Sequence, residues 1–475
     1  MFLGLDLGTG SCKALLLDPQ GQIVAEASRS YPVLAPGPGQ AESDPWAWWQ
    51  AVGEASRAVA GACAPRVQAI GLSGQMHGVV LSDAAGEPLR PAILWADGRA
   101  TAELHALRAL SPAQRHRLAN PPAVGMAAPS LLWLKKHEPA LYRKARWALQ
   151  PKDWLRLLLT GRALGEPSDA SGTLLYDLKA DTWALDVVEA LGLRSDLLPP
   201  LVPSDTMAGH LTREAAQHLG LPSGIPVAAG AADTAAALLG SGLGVGEAQL
   251  TVGSGAQVTV VLGEPRIDPT FRTHLYRAAL PKQWYAMAAM QNAGLALEWV
   301  RRLLGLSWEE AYREAQEVPP GCEGLTFLPY LSGERTPHLD PEARGVWAGL
   351  GLHHRRGHLV RAALEGVAFS IREGLEALAE AVPSGKPLRL AGGGTAEPFW
   401  QQMMADVLER PLVVGQVRSA SARGAALLGA MSIGFPVPRV RFPMVGEIRP
   451  QDSVYRKPYE RFRDLYARLK DWMRP

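Results

Sequence analysis

The stretch GLSGQMHGVVL, Gly71 to Leu81, sets a methionine and a histidine between glycines, with strand-like apolar residues on both sides. Glycines flanking such a pair describe a bare turn at a strand tip, where a ligand or another backbone comes close. On this fragment Met76 and His77 admit two readings: a buried core pair, or two ligand contacts. A second candidate is DLGTGSCK, Asp6 to Lys13, in which a Gly-Thr-Gly-Ser turn joins two strand-like runs. Backbone N–H groups and hydroxyls of such a turn can wrap around phosphate oxygens. Asp6 would stand beside those phosphates and could hold Mg²⁺ through water. A dinucleotide fingerprint is excluded: it needs G-x-G-x-x-G opening a helix, whereas the glycines here are Gly4, Gly8 and Gly10 and KALLLD is strand-like. TVGSG, around Ser254, is a second turn of the same kind, and two such loops argue against an ordinary hairpin more strongly than either alone. Phosphoryl transfer also needs a group that orients or deprotonates the acceptor hydroxyl. Asp233, in AAGAADTAAALLG, follows a strand and opens a helix of small residues, which leaves room for a ligand; a simple helix cap is its alternative role.

The elements that must hold these residues follow from periodicity. FLGLDLGTG, KALLLD and QIVAEAS read as three successive strands joined by tight turns. WAWWQAVGEASRAVAGA reads as an amphipathic helix capped by Ser43 or Asp44, with Pro45 in its first turn. VQAIGLSG is a strand and VVLSDAAGEPLRPAILW a hairpin. The segment from Ala100 to His218 is expected to be mostly helical, most clearly in YRKARWALQPKDWLRLLLTG. GEAQLTVGSGAQVTVVLGEP then repeats the opening pattern of strand, Gly-Ser turn, strand, which suggests two related domains facing one another. A chain of 475 residues also exceeds a single core. Hydrophobic residues at 47%, charged residues at 20% and a net charge of +2 describe a globular protein with no compositional pull toward nucleic acid or a membrane surface. Cys12, Cys63 and Cys322 show no metal-ligand spacing, and three cysteines cannot all pair within one chain. The opening MFLGLDLGTG lacks a signal peptide's basic region, and no apolar run approaches the ~18 residues of a membrane span. A cytoplasmic protein is expected.

Taken together, the motifs resemble the FGGY family of carbohydrate kinases over essentially the whole chain, and within it the members that act on D-xylulose. The opening is similar to that family's first phosphate loop, with Asp6, Thr9, Gly10, Ser11 and Lys13 in its positions. GQMHG resembles the sugar-recognition turn. PAILWADGR, PKDWLRLLLTG and SDASGT follow in the family's order, LPYLSGERTPH with AGLGLHHRRGHLVRAALEG resembles its second signature, and AGGGTAEPFWQQMMAD its adenine-binding loop and helix. The resemblance implies an α/β fold of two ribonuclease-H-like domains, of the actin, hexokinase and chaperone-ATPase superfamily, with the active site in the cleft between them. Residues 1–242 would form the N-terminal domain, with the sugar, the first phosphate loop and the catalytic Asp. Residues 243–475 would form the nucleotide-binding C-terminal domain.

On that resemblance the expected reaction is ATP- and Mg²⁺-dependent phosphorylation of the 5-hydroxyl of D-xylulose. Asp233 and Asp6 are the catalytic candidates, Asp6 also the metal ligand. Met76, His77, Trp95, Asp233 and Thr234 would meet the sugar: His77 as hydrogen-bond partner, Met76 as apolar wall, Trp95 over a carbon face. Ser254, Gly294, Gly392, Gly393 and Gly394 would border the nucleotide beside the first loop. Asp97 and Arg99 are expected as a structural pair, Glu334 and Arg335 as braces of the second domain, and the remaining histidines as surface or loop residues. Two positions depart from the family: Thr234 stands where Asn is usual, and Cys12 where a hydroxyl residue is common. Thr234 leaves the substrate open to another ketose or polyol, with ribulose, rhamnulose or arabitol as alternatives. An actin- or chaperone-like ATPase is the rival class; a chaperone would need a peptide-binding domain after the nucleotide-binding part, where a short polar helix is expected instead. The expected partners are the sugar and ATP, with a homodimer left open and no nucleic acid or membrane.

Overall fold

The computed structural model describes residues 1–474 other than 383–384, 416, 438–439, 441 and 452–453. Strands β1 (Phe2–Leu7), β2 (Ser11–Leu17) and β3 (Ile23–Ser30) form an antiparallel meander, as the turns require. Helix α1 (Pro45–Ala60) follows, with the Asp44 carboxylate accepting from the Trp46 N–H and proline in the first turn. Strand β4 (Ala69–Gly74) then lies parallel to β1. Period-2 alternation divides the labour along β1. Leu3, Leu5 and Leu7 enter the core with Trp48 and Val52 of α1, whereas Phe2 faces the opposite cluster. Asp6 is on that second face, directly paired with Ser73 of β4. Further along the chain, β5 (Met207–His210), β6 (Pro226–Ala228) and β7 (Ala231–Ala232) complete the sheet, and α2 (Pro151–Thr160) packs beside β4.

The second sheet repeats the first. Strands β8 (Ala248–Val252), β9 (Ala256–Leu262), β10 (His274–Arg277) and β11 (Trp284–Met290) are antiparallel, while β12 (Leu388–Ala391) runs parallel to β8 and β13 (Leu412–Gly415) parallel to β12. Strand β14 (Met444–Ile448) closes the edge. The relation of β8, β9, β11, β12 and β13 reproduces that of β1, β2, β3, β4 and β6, so the repeat in the sequence is a repeat in topology. Among the described residues no helix is long and apolar enough to cross a membrane.

Two expectations need correction. The segment Ala100–His218 is helical only in pieces, and its clearest part breaks at Trp147–Leu149, a strand paired with Val80–Ser82. Pro151 is the cause: it bars helix at the residue before it, and Gln150 is extended at φ −69°, ψ 155°. The proposed hairpin after β4 is therefore shared, since Val80–Ser82 takes its ladder from Trp147–Leu149, while the hairpin itself keeps single bridges, Val79 to Ile93 and Ser82 to Pro88.

The two sheets meet through α3 (Asp233–Gly240) and α7 (Ala420–Ser432), numbered after α4 (Gly294–Leu303), α5 (Arg356–Ala377) and α6 (Pro398–Leu408). Both α3 and α7 carry the run AALLG. A Cβ on Gly240 would lie 2.0 Å from the Ala420 carbonyl oxygen, and one on Gly424 would lie 1.9 Å from that of Ala236. Helix α7 also lies on the first sheet, where a Cβ on Gly4 would meet the Ala422 oxygen at 1.9 Å and one on Gly71 the Ala425 oxygen at 1.7 Å. Backbone thus touches backbone, and a methyl group cannot be accommodated by turning a side chain. Gly71→Ala should cost roughly 3 kcal/mol or more, the upper range for overpacking. Gly446→Ala, whose methyl would meet nothing within 4 Å, should stay within about 0.5 kcal/mol. Equal denaturation midpoints for the two variants would disprove this close packing.

Candidate active site

Asp6 is half-buried at the open end of β1, where its Oδ1 accepts the Ser73 hydroxyl at 2.8 Å. Burial raises its carboxyl above the usual range, against the opposing pull of Ser73 and the Lys13 ammonium. Lys13 is directly opposite Asp6 across the β1–β2 ladder. The turn between them is pinned from below: the Gly8 carbonyl accepts from the Tyr31 hydroxyl at 2.5 Å and from Gln75 Nε2 at 3.3 Å, and the Gly10 carbonyl accepts the Tyr31 N–H at 3.1 Å. Gly10 itself is exposed, and Thr9 and Ser11 are half-buried at the surface of the turn. Trp95 is 40% exposed and donates its Nε1–H to the Thr9 hydroxyl at 2.9 Å, so the indole stands over the first turn. Cys12 points the other way, into the α1 core.

Asp233 begins α3, immediately after β7, which pairs with Ser73 and Gly74 of β4. That pairing gathers Asp6, the GQMHG turn and Asp233 at one end of the sheet. Burial, then the Asp6 charge, push the Asp233 carboxyl up to about 7, against the stabilising Thr234 N–H. Thr234 bonds the same oxygen through its N–H at 2.6 Å and its hydroxyl at 3.3 Å. The threonine thus supports the carboxylate through both groups.

His77 has φ +71°, a left-handed conformation that a non-glycine residue adopts only when its surroundings require it. Its Nδ1–H donates to the Gly172 carbonyl at 2.7 Å, which leaves the Nε2 lone pair as an acceptor. Burial drops the imidazole to about 4, outweighing the Gly172 bond, and Arg335 pulls in the same direction, so the ring is neutral near pH 7. Met76 is 7% exposed and packs inward with Ala231, Ala235 and Tyr276, its sulfur accepting the Tyr285 hydroxyl at 3.6 Å. Met76 is therefore a core residue, and His77 is held by its Nδ1 bond to Gly172.

The second sheet contributes groups that motif reading missed. His274, on β10, is not a surface histidine: it is 5% exposed and stacks on Tyr276 at 5.7 Å, and burial drops it to about 3. Tyr276 also lies 6.1 Å from the His77 ring. Exposed Arg335 acts electrostatically on His77, His274 and Tyr276, so its surroundings include the GQMHG turn as well as the second sheet. Glu334 does brace that domain, accepting the Gln291 and Arg335 N–H groups at 2.6 and 2.7 Å. Asp97 and Arg99 form the expected structural pair at 2.8 Å, joined by Glu42 at 2.6 Å from Arg99.

Beyond Asp233 and Thr234 opens a cavity of about 670 Å³, walled by α3, α7, β8, β9 and the turn after β12. This is the size of a small-ligand pocket. Gln249 and Thr251 of β8 and Gln257 and Thr259 of β9 all line it. The repeated Q-x-T spacing was a legible signal, since polar residues at period 2 on adjacent strands put one wet face between them. The three glycines after β12 do different things. Gly392 needs its φ of +93° and would strike the Val252 oxygen at 2.2 Å; Gly393 lines the cavity with nothing within 4 Å of an added Cβ; Gly394 packs against Val252. Ser254 is exposed at the tip of the second turn. Gly294 supports that turn, its N–H on the Gly253 carbonyl at 3.0 Å, and neither residue lines the cavity.

A magnesium ion tests the donor set. Among the described residues no group of three or more His, Cys, Asp or Glu side chains is placed to hold a metal. Only Ser73 hydrogen-bonds the Asp6 carboxylate among them. One or two hard carboxylates beside a phosphate pocket suit Mg²⁺, which takes most of its remaining ligands from phosphate and water. The residues fit.

Comparison with known proteins agrees with this architecture. The profile of the FGGY family of carbohydrate kinases, N-terminal domain, matches residues 1–240, and that of the C-terminal domain matches residues 248–433. A xylulose kinase from Escherichia coli strain K12 is 38% identical, over 86% of this chain and 84% of its own. One from Klebsiella pneumoniae is 35% identical, over 100% and 99%. The crystal structure of a "xyloylose kinase" from Brucella ovis superposes with a TM-score of 0.93 at 36% identity, covering 99% of both chains. With the family's two domains matched in order along a doubled ribonuclease-H-like fold, this chain belongs to the FGGY family of carbohydrate kinases.

Proposed function

We propose that the protein transfers the γ-phosphoryl group of ATP to the 5-hydroxyl of D-xylulose, giving D-xylulose 5-phosphate and ADP. The observation that carries this reading is Asp233: a carboxyl pushed up to about 7, on the wall of the 670 Å³ cavity and within the electrostatic reach of Asp6. Its relatives, named as xylulose kinases and matched over most of their length, support the choice of sugar. In this proposal residues 1–242 carry the sugar and 243–475 the nucleotide. Asp233 accepts the 5-hydroxyl proton as the oxygen bonds to the γ-phosphorus and the bond to ADP breaks. The His77 Nε2 accepts a sugar hydroxyl, and the N–H groups of the Thr9–Gly10–Ser11 turn, with Lys13, face the transferred phosphoryl. Asp6 would hold Mg²⁺, which supplies neutralisation of the phosphate charge. The indole of Trp95 shields the first turn from water. Three free cysteines, two of them buried, suit work in the cytoplasm. A homodimer belongs to the same proposal, and sedimentation velocity decides it.

The direct test is ADP release across a panel of ketoses. D-Xylulose should give the highest kcat/KM, and a wild type that prefers another ketose would keep the kinase and reject this sugar. Asp233→Ala should lose about 10²–10⁴-fold in kcat, the usual span for a general base. Its ATP affinity, read by calorimetry, should be unchanged; turnover within a few-fold of wild type would remove Asp233 from its role.

Ionisation of Asp233 makes a second, double-sided prediction. As a base it works ionised, so kcat should fall on the acid side with an apparent pKa near about 7. Stability runs the other way. A carboxyl raised by folding from 3.8 to about 7 favours the folded state most at low pH, and that contribution is lost as pH rises to about 7. Asp233→Asn, which cannot ionise, should therefore melt level with wild type near about pH 4 and above it by about pH 8. A melting difference independent of pH would contradict the raised carboxyl.

His77→Ala should weaken discrimination between ketoses by about 1–3 kcal/mol in kcat/KM, the cost of one unpaired partner. Slow ATP hydrolysis without sugar should survive. Unchanged selectivity would leave His77 as core only.

A further inference from the structure

The most heavily buried polar assembly in the first domain lies behind Asp233 and has no part in the mechanism above. Lys152, at the start of α2, places its ammonium 2.7 Å from Asp153, 2.8 Å from Asp169 and 3.0 Å from Glu166, and Arg156 is 2.9 Å from Asp153. All five side chains are between 0 and 3% exposed. Such a cluster is costly to bury, and breaking one member leaves an unpaired charge. Its geometry leads to the site. Glu166 accepts the N–H groups of Ser168 at 2.7 Å and Asp169 at 2.9 Å and the Ser204 hydroxyl at 2.7 Å, which locks the one-turn helix Pro167–Ala170. The Ser168 hydroxyl donates to Glu166 at 2.9 Å and accepts the Ala232 N–H at 2.9 Å. Ala232 is the residue from which Asp233 departs.

We propose that Ser168 is a positioning residue for Asp233: its hydroxyl ties the backbone N–H of Ala232 to the Glu166–Lys152 cluster and so fixes where the carboxylate stands. The proposal rests on the reading of Asp233 as the base. Three further contacts make the same short segment a junction. Three residues beyond Ser168 toward the C-terminus, past Asp169 and Ala170, the Ser171 hydroxyl accepts the Arg277 N–H of β10 at 3.0 Å, and the next carbonyl, that of Gly172, holds His77 at 2.7 Å. On the other side, Lys152 lies beneath the first glycine of the GQMHG turn, where a Cβ on Gly74 would meet Lys152 Cβ at 2.9 Å. Base, sugar ligand and second sheet therefore take their register from one stretch, SDASG. A carboxylate held otherwise only by its neighbour Thr234 needs such an external reference, because a displacement of about 1 Å can cost ~10²-fold in rate.

Ser204 supplies the control, since it bonds the same Glu166 carboxylate but not Ala232. Ser168→Ala removes a buried hydroxyl with two partners, Glu166 and Ala232, and Ser204→Ala one that bonds Glu166, so both should lower the melting temperature, Ser168→Ala by more. Only Ser168→Ala should lower kcat, by about 10-fold or more, with KM for ATP within about twofold of wild type. Ser204→Ala should keep kcat within about threefold. The measurement is taken with whichever ketose the wild type phosphorylates best, so a different sugar does not disturb it. Equal kcat for the two variants, or a Ser168→Ala defect confined to KM for ATP, overturns the positioning role while leaving the kinase reading intact. A wild type inert toward every ketose overturns the reading of Asp233 and this inference with it.

Discussion

The structure depends on a contact made without side chains. At Gly4, Gly71, Gly240 and Gly424 the Cβ is missing where α7 meets β1, β4 and α3, so carbonyl oxygens sit where those four methyl groups would otherwise be. Contacts of this kind cannot relax by rotamer change, and a packed interior transmits such a displacement into its neighbours. The helix that belongs late in the chain is thereby fixed to the strands that begin it. Asp6 leaves the end of β1 on this face, and Asp233 heads α3 against the same helix. Their separation, and with it the influence of one carboxylate on the other's proton, is inherited from four missing methyl groups.

Around that fixed frame, the chemistry of the site is made by dehydration more than by unusual residues. The Asp233 carboxyl is held near neutrality because burial and a neighbouring negative charge both disfavour its ionised form. An ordinary histidine becomes a fixed neutral acceptor because burial outweighs its hydrogen bond to Gly172. Each has one hydrogen-bonding anchor that selects its orientation, Thr234 for the aspartate and Gly172 for the histidine. Thr234 fits this scheme, since its N–H and its hydroxyl both reach the neighbouring carboxylate.

The elements legible from sequence were those set by local rules. The meander β1–β3, the capped helix after Asp44 and the helix opened by Asp233 follow from alternation, turn glycines and capping chemistry, all within a few residues. The doubling of the fold was visible in two strand–turn–strand runs half a chain apart. The long helix expected across Trp147–Leu149 failed because helical periodicity on both sides masked a proline that makes its predecessor extended. The polar faces of β8 and β9 were present as Q-x-T spacing, but only a cavity explains why they are tolerated on an otherwise apolar sheet.

By itself, the sequence determined which residues could do chemistry and in what order, because a phosphate-cradling turn, a carboxylate at a helix start and glycines at strand tips are local arrangements. The tertiary structure alone decided which of them meet. It turned Met76 inward onto Tyr285, set Trp95 over Thr9, and brought the buried His274 and the exposed Arg335 toward His77. It also placed Ser168 behind Ala232, 64 positions away in the chain. These pairings join residues whose separation carries no periodic or spacing signal, and only the close approach of β1, β4, α3 and α7 brings them within hydrogen-bonding distance.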